Sequence, residues 1–415
     1  MKKTVLLMTL GKGKDGNGRS GGYESVKYRF EDNDLSEETP FFGIALYKHL
    51  QRTRKIDKII VLGTTGSSWD AWWEADEKLR NDDKYCQLFD RVKQGERDEV
   101  LLGEISNALS EVFGCTFVCK YIPEDAKEDS CREIMSLIDS ELDKSDELHI
   151  DVTHGFRFLP MIELMSTFFL KSKGVGIGGI YYGALEKKDT LTNNVPVADL
   201  SSLAGMQEWI EAMALFRTTG NPTLLAKIDS MKDFKIHLEQ YYFNIQMNNI
   251  RNACRFANNI KGLVVDGKLP PEGELFRNEL LDQFEWAAND HYADQQYRQF
   301  KSALENGDML KAVLLLFEMT ITAYVDKSKN VMDNDAREEA REKLKGIYDE
   351  DWTLLRLLRN SVVHDGNKYE KNKRNKHIIE RLERAQKSQD KFIDEIKKIE
   401  KKVRNLIKDT EQSGK

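Results

Sequence analysis

From Thr4 to about Asp199 the chain alternates short apolar runs with amphipathic stretches of helical length, and few architectures accommodate that alternation. TVLLMTL, KIIVLGT, TFVCKYI, ELHIDVT and IGGIYYGAL read as strands, because they are too short for helices and rich in aliphatic residues. Between them, residues 40–51, the stretch around 69–79, the one around 130–142 and residues 159–170 read as helices. Apolar strands joined by helical crossovers make a parallel sheet covered on both faces. The expectation is a doubly wound, Rossmann-like α/β domain over residues 1–201. Ligands of such sheets bind beyond the carboxyl ends of the strands, so the loops that follow strands take priority.

After about Ser202 the strand signal fades, and charged segments with apolar residues three or four apart take over, as in LEQYYFNIQMNNIRNACRFANNI and DMLKAVLLLFEMTITAYV. Residues 202–415 therefore read as an all-α domain. Near the end, Ile378, Leu382, Ala385, Phe392, Ile396, Ile399, Val403 and Leu406 form a heptad-like stripe with one gap at Gln389. Such a stripe packs more often on its own domain than as a free coiled coil, and it is compatible with a dimer contact.

A length of 415 residues exceeds what one hydrophobic core serves, in keeping with two domains. With a net charge of −7, the surface offers no general attraction to nucleic acid, so any RNA contact must be local and stable DNA binding is not expected. Five cysteines, odd in number and scattered, argue against a disulfide framework and against a zinc site, and no metal is expected. No run approaches the ~20 apolar residues of a membrane span, and the apolar stretch in MKKTVLLMTLGKG is too short for a signal peptide. The expected location is the cytoplasm.

Gly11 to Gly16 matches G-x-G-x-x-G, yet a polar, glycine-rich stretch follows where a dinucleotide fold needs a helix start, and no Gly-Lys-Ser/Thr closes a P-loop. That loop is expected to lie near the sheet's carboxyl edge, where it can close over a ligand. The second strand runs into Gly63-Thr64-Thr65-Gly66-Ser67-Ser68-Trp69, which offers amides, hydroxyls and an aromatic ring to an anionic ligand with bases to stack. The plain alternative is a helix cap with turn residues. A later strand leads into Asp151-Val152-Thr153-His154-Gly155-Phe156-Arg157, where a phosphate can meet backbone amides and Arg157 together. Tyr182, ending the last of these strands, is a further ring for the same pocket.

The strongest catalytic pattern is R-N-x-x-x-H in Arg359-Asn360-Ser361-Val362-Val363-His364, near the end of an apolar helix that Asp365-Gly366 would stop. Asn360 and His364, four apart, share a helix face. Arg359 and His364 are about 140° apart around an ideal helix, so a site built across a two-fold dimer would bring both sets together. RNA carries its own nucleophile in the 2′-OH. Cleavage then needs proton transfer, which suits histidine, and stabilisation of a charged phosphorane, which suits arginine, leaving 2′,3′-cyclic phosphate and 5′-OH ends.

GTTGSSWD, DVTHGFRFLP and RNSVVH together resemble the CARF–HEPN ribonucleases, accessory effectors of type III CRISPR systems, over nearly the whole length. The resemblance implies a homodimer, or a higher even-numbered oligomer, whose CARF sensor domains bind a cyclic oligoadenylate, with cyclic tetra-adenylate as the expected ring. Binding would switch on HEPN domains that cut single-stranded RNA in antiviral defence, with no catalytic cofactor. Carried over residue by residue, Arg359, Asn360 and His364 match the HEPN motif. By the same resemblance, residues 63–69 and 151–157 would line the sensor pocket, with Thr9, Leu10 and Gly11 beside them. The main rival is a cyclic-nucleotide-sensing regulatory module that cuts nothing. A nucleotide-cofactor enzyme and a transcription regulator fit less well, for lack of a helix after Gly16 and of a basic recognition helix.

Overall fold

The computed structural model describes residues 2–13, 23–31, 34–92, 97–288, 291–325, 329–346, 349–363 and 376–412. It divides into two compact units, 1–207 and 208–415, with the helix Ser202–Thr219 running across the division.

The first unit is built on a seven-stranded sheet: β1 (Thr4–Leu10), β2 (Lys27–Arg29), β3 (Lys58–Gly63), β4 (Thr116–Tyr121), β5 (Glu147–Asp151), β6 (Gly176–Gly183) and β7 (Asn194–Asp199). The order is β2-β7-β6-β5-β1-β3-β4, and every pairing is parallel except β6 with β7. Successive side chains of a strand face opposite ways, and here both faces are filled. Leu6, Met8 and Leu10 of β1 join Ile59 and Val61 of β3 in one core, with Phe42, Leu46, Leu102 and Ile105 from the helices above. Val5, Leu7, Ile60 and Leu62 join the opposite core with Ile134, Ile138, Leu159 and Ile162. Burial on both sides is why these strands read as unbroken apolar runs.

All five strand segments expected from sequence are present. The sheet adds β2 and β7, neither of them an apolar run, and the antiparallel β6–β7 pair makes it mixed. The stretch expected to be helical around Trp69 to Leu79 splits into a 3-10 segment, Trp69–Glu74, and a short helix, Glu77–Asn81, whose start is fixed by Asp76 accepting from Lys78 N at 2.9 Å.

The second unit is helical, with no strand among its described residues. Its centre is the helix Met309–Tyr324, buried on most of its circumference through Ala312, Val313, Leu315, Leu316, Met319 and Ile321. Tyr292–Glu305, Asn334–Gly346, Glu350–Val363 and Gln389–Gln412 pack around it. The heptad-like stripe is divided between the helices Lys376–Ala385 and Gln389–Gln412, the break falling at the gap in its spacing. Ile378, Leu382, Ile396, Ile399 and Val403 are all buried in their own unit. Arg381 fastens the two helices to the neighbouring one, pairing with Asp351 at 2.9 Å and Glu395 at 2.7 Å.

Candidate functional site

The adjacency β5-β1-β3 brings the three loops singled out in the sequence to one edge of the sheet, and hydrogen bonds tie them together. Ser67 Oγ donates to Leu10 O at 2.6 Å, Ser68 N to Gly11 O at 2.9 Å, and Gly13 N to Ser68 Oγ at 2.9 Å. On the other side of β1, Thr9 Oγ1 donates to His154 O. Gly11 and Gly155 are in close approach: a Cβ on Gly11 would lie 2.7 Å from Gly155 N. Gly155 has φ +100°, a conformation that side chains resist, and a Cβ there would sit 2.8 Å from Leu159 Cδ1. Thr153 anchors the third loop twice, its N–H donating to Asp151 Oδ1 and its Oγ1 accepting from Gly183 N, both at 2.8 Å.

The residues of these loops divide into two groups. Gly66, Gly155, Phe156 and Arg157 are exposed, with Gly11, Thr65, Ser67 and Thr153 half-buried beside them. Thr65 Oγ1 donates to Glu124 Oε1 at 3.1 Å. Thr9, Leu10, Gly63, Thr64, Ser68, Trp69, Asp151 and His154 are buried and shape the edge from below. The Trp69 ring, read from sequence as a surface for stacking bases, is 1% exposed; it packs edge-on to Tyr121, and its Nε1 donates to Thr64 O at 2.9 Å. Gly63 is small because that ring fills the space where a Cβ would be. His154 lies between the rings of Tyr23 and Phe41, with Nε2 accepting from Phe42 N at 3.3 Å, and burial lowers its pKa to about 3. Its imidazole is therefore a neutral core group, and its backbone carbonyl holds Thr9. Tyr182 donates its hydroxyl to Glu186 Oε2 at 2.7 Å.

Two carboxyl groups beneath this edge lack full hydrogen bonding. Asp151 is fully buried with Oδ2 unpartnered, and burial raises its pKa to about 7 against the opposing pull of the Thr153 hydrogen bonds. Glu163, on the helix Leu159–Ser172, is 1% exposed with neither carboxyl oxygen partnered; burial pushes its pKa well above the usual range and the charge of Asp151 adds to the effect. Glu163 escaped the sequence reading, although an acid inside the apolar run LPMIELMSTFFL was its visible sign. Among the described residues, no group of three or more His, Cys, Asp or Glu is gathered to hold a metal ion.

In the second unit, Arg359 and Asn360 lie on the helix Glu350–Val363, whose start is capped by Asp349 through Asp351 N at 2.8 Å and Trp352 N at 3.1 Å. Leu354, Leu355 and Leu358 bury one face, leaving Arg359 and Asn360 half-exposed. Arg359 Nη1 donates to Asn360 Oδ1 at 3.1 Å, and the guanidinium lies 5.7 Å from the ring centre of Phe317, which also stacks on Trp352. The Arg359 Nε is buried without an acceptor. His364, with Asp365 and Gly366, lies outside the described residues.

No helix among the described residues is long and apolar enough to cross a membrane. Residues 5–185 match the family model described as the CARF domain of the CRISPR system endoribonuclease Csx1. The chain is also 26% identical over 378 residues to the CRISPR-associated protein MJ1674 of Methanocaldococcus jannaschii. That similarity takes in 82% of this chain, more than the first unit alone, and the chain spans 59% of the length of this curated relative. The matched domain and the relative support a CRISPR-linked protein whose N-terminal α/β unit is of the CARF type.

Proposed function

We propose that the chain is a cyclic-oligoadenylate-activated endoribonuclease that cuts single-stranded RNA, with the sensor in the α/β unit and the HEPN-type nuclease site in the helical unit. The observation that carries the reading is the meeting of the three strand-end loops, 9–11, 63–69 and 151–157, at one edge of the CARF-type sheet. Exposed Gly66 and Gly155 leave backbone within reach of a ligand, and Arg157 supplies a cation for its phosphates.

In the helical unit, Arg359 held by Asn360 fits stabilisation of the phosphorane, and His364 fits proton transfer during attack of the 2′-OH on the adjacent phosphorus. The products are a 2′,3′-cyclic phosphate and a 5′-OH, and the step needs no metal ion. A two-fold dimer suits both ends of this scheme, since a symmetric ring can meet the same contacts from each subunit. Exposed Met161, Met165 and Phe169, four apart along one helix face, give such a dimer an apolar seam. Activation follows when the ring binds the cutting-competent state more tightly than the resting one.

The test is cleavage of a fluorescent single-stranded RNA in EDTA, with no ring or with cyclic tri-, tetra- or hexa-adenylate, alongside His364→Ala. Cleavage with cyclic tetra-adenylate that disappears in the variant is expected. Ring binding without cleavage by the wild type would favour a regulatory module, and wild-type cleavage by His364→Ala would remove the proposed nuclease site.

A further inference from the structure

The helical unit contains a cavity of about 260 Å³ that none of Arg359, Asn360 or Phe317 lines. Its walls come from the helices Ser202–Thr219, Lys232–Gln246, Arg277–Gln283 and Tyr292–Glu305, and from the first turn of Met309–Tyr324. Arg217, Arg298 and Lys311 line it, and none of the three side chains makes an ion pair or hydrogen bond within the described residues. Of the carboxylates in the wall, Asp308 is engaged as a helix cap, accepting from Lys311 N at 3.0 Å, and Glu305 faces Lys301 at 3.9 Å. Only Asp282 is uncommitted. Asp308 keeps its charge and acts on Lys311, so with Glu305 offset by Lys301 the three cations exceed Asp282 and Asp308 by one positive charge.

The floor also seeks a ligand. Trp286 is 7% exposed, its Nε1 has the Tyr241 hydroxyl nearby but no well-formed hydrogen bond, and Gln299 is buried in the same wall. Burial lowers the pKa of Lys311, an effect that an anion beside it would offset. At about 30 Å³ per water, the cavity has room for roughly nine waters, more than a bare phosphate fills. The rings of Phe216, Tyr241 and Trp286 are buried and leave little open face for a base, whereas Gln283, Gln299 and Ser302 suit hydroxyl groups.

We propose that this cavity binds a phosphomonoester with a sugar-sized polar body, of the ribose phosphate type. The phosphate, carrying about −1.5 to −2 charges, meets the guanidinium groups of Arg217 and Arg298 and the ammonium of Lys311. The sugar hydroxyls meet the amide groups, and an ester or ring oxygen accepts from Trp286 Nε1. The ligand's source is either a free sugar phosphate or the phosphorylated end of an RNA strand.

Calorimetric titration of the full chain in the His364→Ala background tests this, with ribose 5-phosphate, ribose, inorganic phosphate and a 5′-phosphorylated RNA trinucleotide as probes. Ribose 5-phosphate is expected to bind at one site per chain, ribose not at all, and inorganic phosphate more weakly. Exposed Arg217 and Arg298 can be changed without loss of fold, and the double variant Arg217→Ala, Arg298→Ala should weaken binding at least tenfold. Lys311→Met should weaken it similarly, and Arg157→Ala in the other unit should leave it unchanged. Tighter binding of the trinucleotide, lost in the same variants, assigns the site to RNA ends, and weaker binding assigns it to a free metabolite. The inference is overturned if ribose 5-phosphate does not bind at millimolar concentration, if the cavity variants bind it as the parent does, or if inorganic phosphate binds equally well.

Discussion

Replacing Asp151 by Asn should stabilise the α/β unit at neutral and alkaline pH and leave it little changed in acid. In the folded chain burial raises the Asp151 pKa from 3.8 to about 7. Between roughly pH 4 and pH 7 the folded state therefore keeps a proton that the unfolded state has released. Stability falls as pH rises through that window, and the loss is complete above the folded pKa. A shift of about three units corresponds to roughly 4 kcal/mol at most, at 1.36 kcal/mol per unit. Asn keeps an oxygen for Thr153 N, and its amide hydrogens occupy the position where the protonated acid also lacks an acceptor, so the acid-side stabilities nearly cancel. For a unit of this size, a gain of about 2–4 kcal/mol corresponds to a rise in Tm of roughly 5–10 °C. Thermal unfolding followed by circular dichroism from pH 4 to pH 8.5 reads both the gain and its pH dependence. Glu163→Gln should remove a further part of the slope, because Glu163 is raised by the same burial and by the charge of Asp151. An Asp151→Asn protein with the wild-type slope, or one destabilised equally at every pH, would refute the reasoning.

Gly155→Ala should cost about 1–3 kcal/mol from its positive φ alone, lower Tm, and weaken cyclic-adenylate binding; Gly174→Ala, also at positive φ but remote from the three loops, should lower Tm without affecting the ligand. Asn360→Ala removes the acceptor for Arg359 Nη1, and an interaction with a charged group worth about 1.5–3 kcal/mol predicts roughly 10- to 150-fold slower RNA cleavage in single-turnover assays, with RNA affinity nearly unchanged.

The central strands were legible because burial on both faces makes a strand's composition uniform. β2 and β7 were not: KYR is three residues long, and NVPVAD carries a proline and alternates buried with exposed positions. The helices Asp83–Val92 and Glu99–Phe113 lie in charged sequence between expected strands and likewise went unassigned. The loops at the sheet edge were legible from the rule that ligands meet strand ends, but the orientation of their side chains was not. Trp69 reads in the sequence as a ring for stacking bases, and His154 reads equally as a pocket group or as part of a buried turn; the packing of Tyr121, Tyr23 and Phe41 shows that both rings are internal. The free cations of the helical cavity come from three separate helices, so no local pattern could have grouped them.

Gly11 and Gly155, 144 positions apart in the chain, abut so closely that a methyl group on Gly11 would strike the Gly155 backbone, while one on Gly155 would strike Leu159 and Thr9. The contact works as a mechanical linkage. A displacement of the 151–157 loop toward Gly11 has no slack to absorb it, so it must be passed to the end of β1, and from there through Gly11 O and Leu10 O to Ser68 and Ser67. Three loops anchored on three strands are thereby tied into one edge, and under the proposed function a ligand that touched any one of them would act on all three.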